Sequence, residues 1–164
     1  MDSAADAFEE LVASLDTPMF VVTTAVGDRR AGCLVGFASQ VSIEPPRFLV
    51  GLSKRNKTFR VATQSSFLAV HVFEKQSMEV VELFGGQTGD RVDKFTRCYW
   101  HQGPHGVPIL DDAAAWFLGR TIDRIPFGDH VGHLLEPVDG TGPREAGRWV
   151  SLCDVRDLRP GHEA

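Results

Sequence analysis

Phe20-Val21-Val22-Thr23-Thr24, then Gly27-Asp28, then Ala31 to Ser42, is the stretch that sets the fold class. A β-branched run, a turn signal and a second run predict an antiparallel hairpin, closed by Pro45-Pro46. Working outward, Arg47 to Leu52 predicts a third strand, and Ser53 to Thr58 a polar connection into a helix over Thr58 to Gln64. Upstream, Ser3 precedes Phe8, Leu11, Val12 and Leu15 at helical spacing. This is an amphipathic helix that ends before Pro18, and its apolar stripe requires a sheet to cover it.

Downstream, Phe67 to Phe73 is apolar on both alternating faces, as expected of a central strand covered on both sides. Gln76 to Phe84 carries Met78, Val81 and Phe84 at helical spacing and stops at Gly85-Gly86, leaving Gly85 to Asp93 as a loop. Gly103 to Pro108 reads as a turn, Ala113 to Asp123 and Asp129 to Glu136 as strands, Asp139 to Gly147 as a surface loop, and Trp149 to Val155 as a last strand. Many short strands with few helices predict a mainly β fold, a closed or nearly closed antiparallel barrel. At 164 residues, 1–164 is expected to form one domain.

Composition removes whole classes of function. Hydrophobic residues at 43% and charged ones at 24% match a soluble globular chain, and no apolar run approaches the roughly 20 residues of a membrane span. Met1 to Glu10 carries acids where an export signal needs bases followed by an apolar stretch. Cys33, Cys98 and Cys153 lie far apart with no C-x-x-C pair, which fits a reducing cytoplasm and neither zinc nor a disulfide framework. A net charge of −5 argues against a nucleic-acid surface, so any anion site is local. G-x-G-x-x-G, G-x-x-x-x-G-K-[ST] and G-x-S-x-G are all missing, which excludes a separate Rossmann domain, a P-loop and that hydrolase elbow.

Three constellations remain. Ser53-Lys54-Arg55-Asn56-Lys57-Thr58 places three cations where a strand gives way to a helix, the setting of a phosphate site, with a solvated basic turn as the competing reading. Gly32 and Gly36 mark either a ligand's close approach to a strand or a barrel corner. His130 stands at a loop-to-strand junction as a ligand contact or a structural histidine. His133, three residues on, points to the opposite face of a strand, so no metal is expected there.

In order, these pieces resemble the flavin reductase family of the FMN-binding split barrel. The likeness runs through Gly32 to Ala38, Val41-Ser42-Ile43-Glu44-Pro45-Pro46, Ser53 to Thr58, Phe67 to Val72, Asp93-Lys94-Phe95, Gly106-Val107-Pro108 and Gly128-Asp129-His130. The resemblance implies a Greek-key antiparallel barrel, a homodimer with flavin at its interface, and hydride transfer from NADH or NADPH to FMN. The reduced flavin would pass to a monooxygenase partner or another acceptor, with no nucleic-acid or membrane partner. It places Leu34, Val35, Gly36, Phe37, Ala38, Gln40 and Val41 along the isoalloxazine and ribityl chain, and Ser53, Lys54, Arg55, Asn56, Lys57 and Thr58 on the phosphate. Lys94 and Phe95 would lie near the flavin, and His130 would be the catalytic residue at the nicotinamide face. Leu34, Gly36 and Phe37 replace the family's usual Thr, Ser and Ser, which keeps FAD or a deazaflavin open as the cofactor. The same substitutions keep open a flavin-, deazaflavin- or heme-binding protein without reductase turnover.

Overall fold

A computed structural model describes residues 3–161. Met1 and Asp2, which entered the reading of the N-terminus, lie outside the described residues. The strands are β1 (Phe20–Val26), β2 (Arg29–Val35), β3 (Ala38–Ser42), β4 (Arg47–Ser53), β5 (Phe67–Val72), β6 (Trp100–Gln102), β7 (Pro108–Leu110), β8 (Ala115–Pro126) and β9 (His130–Thr141). The α-helices are α1 (Ala4–Ser14), α2 (Lys57–Ala62), α3 (Met78–Gly86) and α4 (Leu152–Val155). Seven strands form one sheet in the order β2-β1-β5-β8-β9-β4-β3, and β6 pairs with β7 apart from it. Every pairing is antiparallel.

That order forces the sheet to curl. β2 and β3 are its two edges, yet only Gly36 and Phe37 join them. Such a link reaches roughly 10 Å, whereas the edges of a flat seven-stranded sheet stand about 29 Å apart. The sheet therefore wraps into a split barrel, tied where the Gly51 N–H on β4 donates to the Phe37 carbonyl at 2.7 Å. Inside it Val22, Val50, Leu52, Leu68, Val70 and Leu135 are at most 2% exposed. A second apolar cluster lies under α3, where Val81 and Phe84 meet Val21, Phe73, Phe95, Leu110, Val150 and Val155.

The predicted hairpin needs correction, because Ala31 to Ser42 is two strands. β2 pairs with β1, and after the bend at Gly36-Phe37 β3 pairs with β4. The glycine reading sharpens too. A Cβ on Gly32 would lie 2.7 Å from the Phe84 ring, so that glycine admits a packed phenylalanine; a Cβ on Gly36 would meet the Met19 sulfur at 3.1 Å. Asp139 belongs to β9, which runs on to Thr141 where a loop is expected. Trp149 to Val155 makes two isolated bridges and α4 in place of a strand, since the Ser151–Asp154 capping box starts a helical turn. The α1 stripe has no sheet over it: Phe8, Leu11, Val12 and Leu15 are 41–63% exposed.

Gly51 is where the barrel tie is most easily tested. An added Cβ would lie 3.1 Å from the Phe37 Cβ and 3.3 Å from its carbonyl oxygen. Gly51→Val is expected to lower stability by about 1–3 kcal/mol through forced backbone displacement. An unchanged denaturant midpoint would show that the contact at the crossover has room to give.

Candidate functional site

A cavity of about 690 Å³ opens where the sheet is tied. β2 and the bend after it supply Leu34, Val35, Gly36 and Phe37; the end of β4 supplies Gly51, Leu52 and Ser53; α1 supplies Val12 and Ala13, and its C-cap Leu15. Asn56 and His130 also line it, with Glu9, Thr17, Met19, Cys33 and Leu152. Through Cys33, Leu34, Ser53, Asn56 and His130 this cavity adjoins a lobe of about 500 Å³ lined also by Phe84, Gln87, Lys94, Arg156, Leu158 and Pro160. One end is thus apolar and the other polar, which suits a flat ring carrying a polar tail.

His130 sits at the start of β9, opposite Ser53. Its Nδ1 lies 2.7 Å from the Asp129 carboxylate, leaving Nε2 as the ring's other polar atom. Asp129 is held below the ordinary carboxylate range, mainly by that hydrogen bond and then by the imidazole's charge. The Phe37 ring packs on His130 with centroids 4.8 Å apart at 58°. Phe37, Ala38, Ser39, Leu49, Phe127 and His130 also line a smaller cavity of about 360 Å³ on the far side of this pair.

At the polar end Lys94 is buried, and its Nζ donates to the carbonyls of Gly32 at 2.8 Å and Phe84 at 3.1 Å. Those bonds join β2 to the end of α3, and burial pulls the lysine's pKa down. Burial likewise pushes the Cys33 thiol up, so the sulfur is a neutral wall atom and no nucleophile.

Of the residues singled out in the sequence, the main cavity gathers Leu34, Val35, Gly36, Phe37, Ser53, Asn56 and His130, and the lobe adds Lys94. Ala38 reaches only the smaller cavity. Gln40 and Val41 lie exposed on β3, with the Gln40 amide bonded to the Ser42 carbonyl. Phe95 is a core residue, packed edge-on against Phe84 and Trp100. The basic turn is dispersed: Lys54 and Arg55 are exposed, Lys57 donates to the Gly89 carbonyl at 3.3 Å, and Thr58 is buried. Asn56 Oδ1 already accepts from the Thr58 N–H at 3.0 Å, so a first-turn donor of the six-residue α2 is satisfied within the chain. The polar end of the cavity is therefore lined by Ser53, Asn56 and Lys94, and not by the basic turn as a whole.

Sequence reasoning missed Met19, Cys33, Phe84, Gln87 and the whole C-terminal contribution of Leu152 to Pro160. None of these carries a local signal, since their proximity arises from packing α3 and the C-terminal segment against β2.

A model of the flavin reductase like domain matches residues 12–153. The "Stachydrine N-demethylase reductase subunit Stc3" of Rhizobium meliloti (strain 1021) is 32% identical over 114 residues, covering 67% of this chain and 48% of that protein. The "FMN reductase (NADH) RutF" of Variovorax paradoxus (strain S110) is 29% identical over 123 residues, covering 75% of this chain and 68% of that protein. The chain spans about half the length of the R. meliloti relatives it matches. Among solved structures, the NADH:FAD oxidoreductase SgcE6 of Streptomyces globisporus aligns with TM-score 0.82 at 22% identity, over 92% of this chain and 90% of that one. At that identity the likeness establishes the split-barrel fold.

Proposed function

The chain belongs to the flavin reductase like domain family, and from that premise we propose that it is an NAD(P)H-dependent flavin reductase holding FMN in the main cavity and its polar lobe. The observation that carries this reading is the convergence of an apolar wall, Leu34 to Phe37, a polar end, Ser53, Asn56 and Lys94, and an Asp129-held His130. The cavity volume of about 690 Å³ lies within the range of cofactor sites. The chemistry the bound flavin would supply is acceptance of a hydride from the nicotinamide and onward delivery of two electrons.

The chain's residues bind, orient and exclude water. Leu34, Val35 and Phe37 supply an apolar surface for the ring, with backbone N–H and C=O groups in place of the missing hydroxyls. Ser53 and the Asn56 amide are donors for the polar tail. His130, its orientation set by Asp129, steers the nicotinamide, and the Phe37 ring packed on it restricts the approach. The exposed apolar stripe of α1 beside the cavity supports a homodimer. The names of two further relatives, the reductase components of a flavin-dependent trigonelline monooxygenase and of a 4-hydroxyphenylacetate 3-monooxygenase, support a monooxygenase as recipient of the reduced flavin. Three free cysteines support a reducing cytoplasm, and no helix among the described residues is long and apolar enough to cross a membrane.

The test is to titrate the protein with FMN, FAD and a deazaflavin, then follow NADH and NADPH oxidation. FMN binding with turnover is expected. Binding without turnover would favour a carrier, and no binding at all would sink both. His130→Ala is expected to slow the nicotinamide half-reaction roughly 10- to 100-fold while FMN affinity stays nearly constant. Equal loss of both would show that His130 shapes the flavin site and does not position the nicotinamide.

A further inference from the structure

The lobe that adjoins the main cavity holds Lys94 and Arg156 and no carboxylate among its lining residues, in a chain with 22 acidic side chains against 17 Lys and Arg. Arg156 comes from the turn after α4, beyond residue 153 where the family match ends. The residue is exposed and its fork is held by a backbone bond. One Nη donates to the Ala13 carbonyl on α1 at 3.0 Å. Two residues on, Leu158 lies against Gly85 and Gly86, where an added Cβ would come within 2.7 Å and 3.1 Å of its methyl groups. The glycine pair that ends α3 thus seats the C-terminal segment over the polar lobe.

A guanidinium has five N–H donors in a planar fork, and the bond to Ala13 uses one nitrogen. The rest suit a phosphate, which Arg grips in two-point fashion, and the buried Lys94 supplies further positive potential in the same lobe. We propose that Arg156 is a ligand of the phosphomonoester of FMN, so that the C-terminal segment closes the anion end of the site. This rests on the flavin reading above. It adds to Ser53, Asn56 and Lys94 a cation with no counterpart in the sequence motifs.

The experiment compares FMN with riboflavin, which lacks the phosphate, by flavin fluorescence titration of wild type, Arg156→Ala and Arg156→Gln. The glutamine variant retains a donor for the Ala13 carbonyl without the charge. Wild type is expected to prefer FMN. Both variants are expected to weaken FMN about 10- to 100-fold and to leave riboflavin within about threefold. Equal weakening of FMN and riboflavin, or an unchanged preference for FMN, would overturn the proposal. A change confined to the KM for NADPH would overturn it as well, by assigning Arg156 to the other phosphate-bearing ligand. Wild type that binds neither flavin would overturn the flavin reading itself. Wild type that binds both, with variants that keep the preference, would remove only the role of Arg156.

Discussion

Acidification from pH 7 to pH 4 is expected to cost the fold roughly 3 kcal/mol through one side chain, His71. The residue is fully buried on β5, where it joins three strands. Its Nε2 accepts the Leu110 N–H at 3.1 Å, so Nδ1 carries the proton and donates to the Val21 carbonyl at 2.9 Å. Burial is the main reason its pKa falls from 6.5 to about 4. Below pH 6.5 the unfolded chain takes up a proton that the folded chain refuses until about pH 4. The contribution is therefore complete above the unfolded value and lost as pH falls toward the folded one. Urea midpoints at pH 7, 5.5 and 4.5, for wild type and His71→Gln, isolate this from the carboxylates. The variant should be less stable at pH 7 and show a flatter pH dependence. Parallel profiles would mean that His71 does not titrate on unfolding.

Phe84→Ala is expected to destabilise by about 3–5 kcal/mol and to weaken flavin binding as well. The ring is 1% exposed, lies on Gly32, meets Phe95 edge-on at 5.6 Å, and has the Lys94 ammonium 5.4 Å from its centroid. It also forms part of the lobe beside Lys94. Removing it takes away the packing that holds α3 to β2 and loosens the carbonyl of residue 84 to which Lys94 is bonded. Phe73→Ala is the control, since Phe73 is equally buried but is not among the lining residues of the two cavity lobes. Chemical denaturation should show comparable losses for the two variants, with flavin affinity falling further in Phe84→Ala. Matching affinities would reduce Phe84 to a core residue.

Strand and helix identity was legible in the sequence wherever periodicity was strong. Phe67 to Phe73 reads as a central strand and is one, because hydrophobic alternation is a local property of a pleated chain. The Ser3 cap and the Gly85-Gly86 stop were equally plain, since caps act within one helical turn. The break at Gly36-Phe37 was legible only as one alternative, a barrel corner at a glycine: apolar and small residues continue through it, and the demand that one chain pair with both β1 and β4 bends it there.

The sequence by itself determined a mainly β barrel, the absence of the common nucleotide-binding motifs, and a set of ordered pieces that place the chain in its family. Tertiary structure alone decided which of those pieces meet. Closing the sheet brings Leu34, Ser53 and His130 to one cavity across nearly a hundred residues, turns Lys57 toward Gly89, and leaves Gln40 and Val41 outside the wall. It also brings in Arg156, which no motif marks. The reason is one of range: periodicity, turns and caps are set by neighbours a few residues away. The placement of a charge beside a cavity depends on strand order, on where a missing Cβ lets two segments touch, and on which carbonyls remain for a lysine to bind.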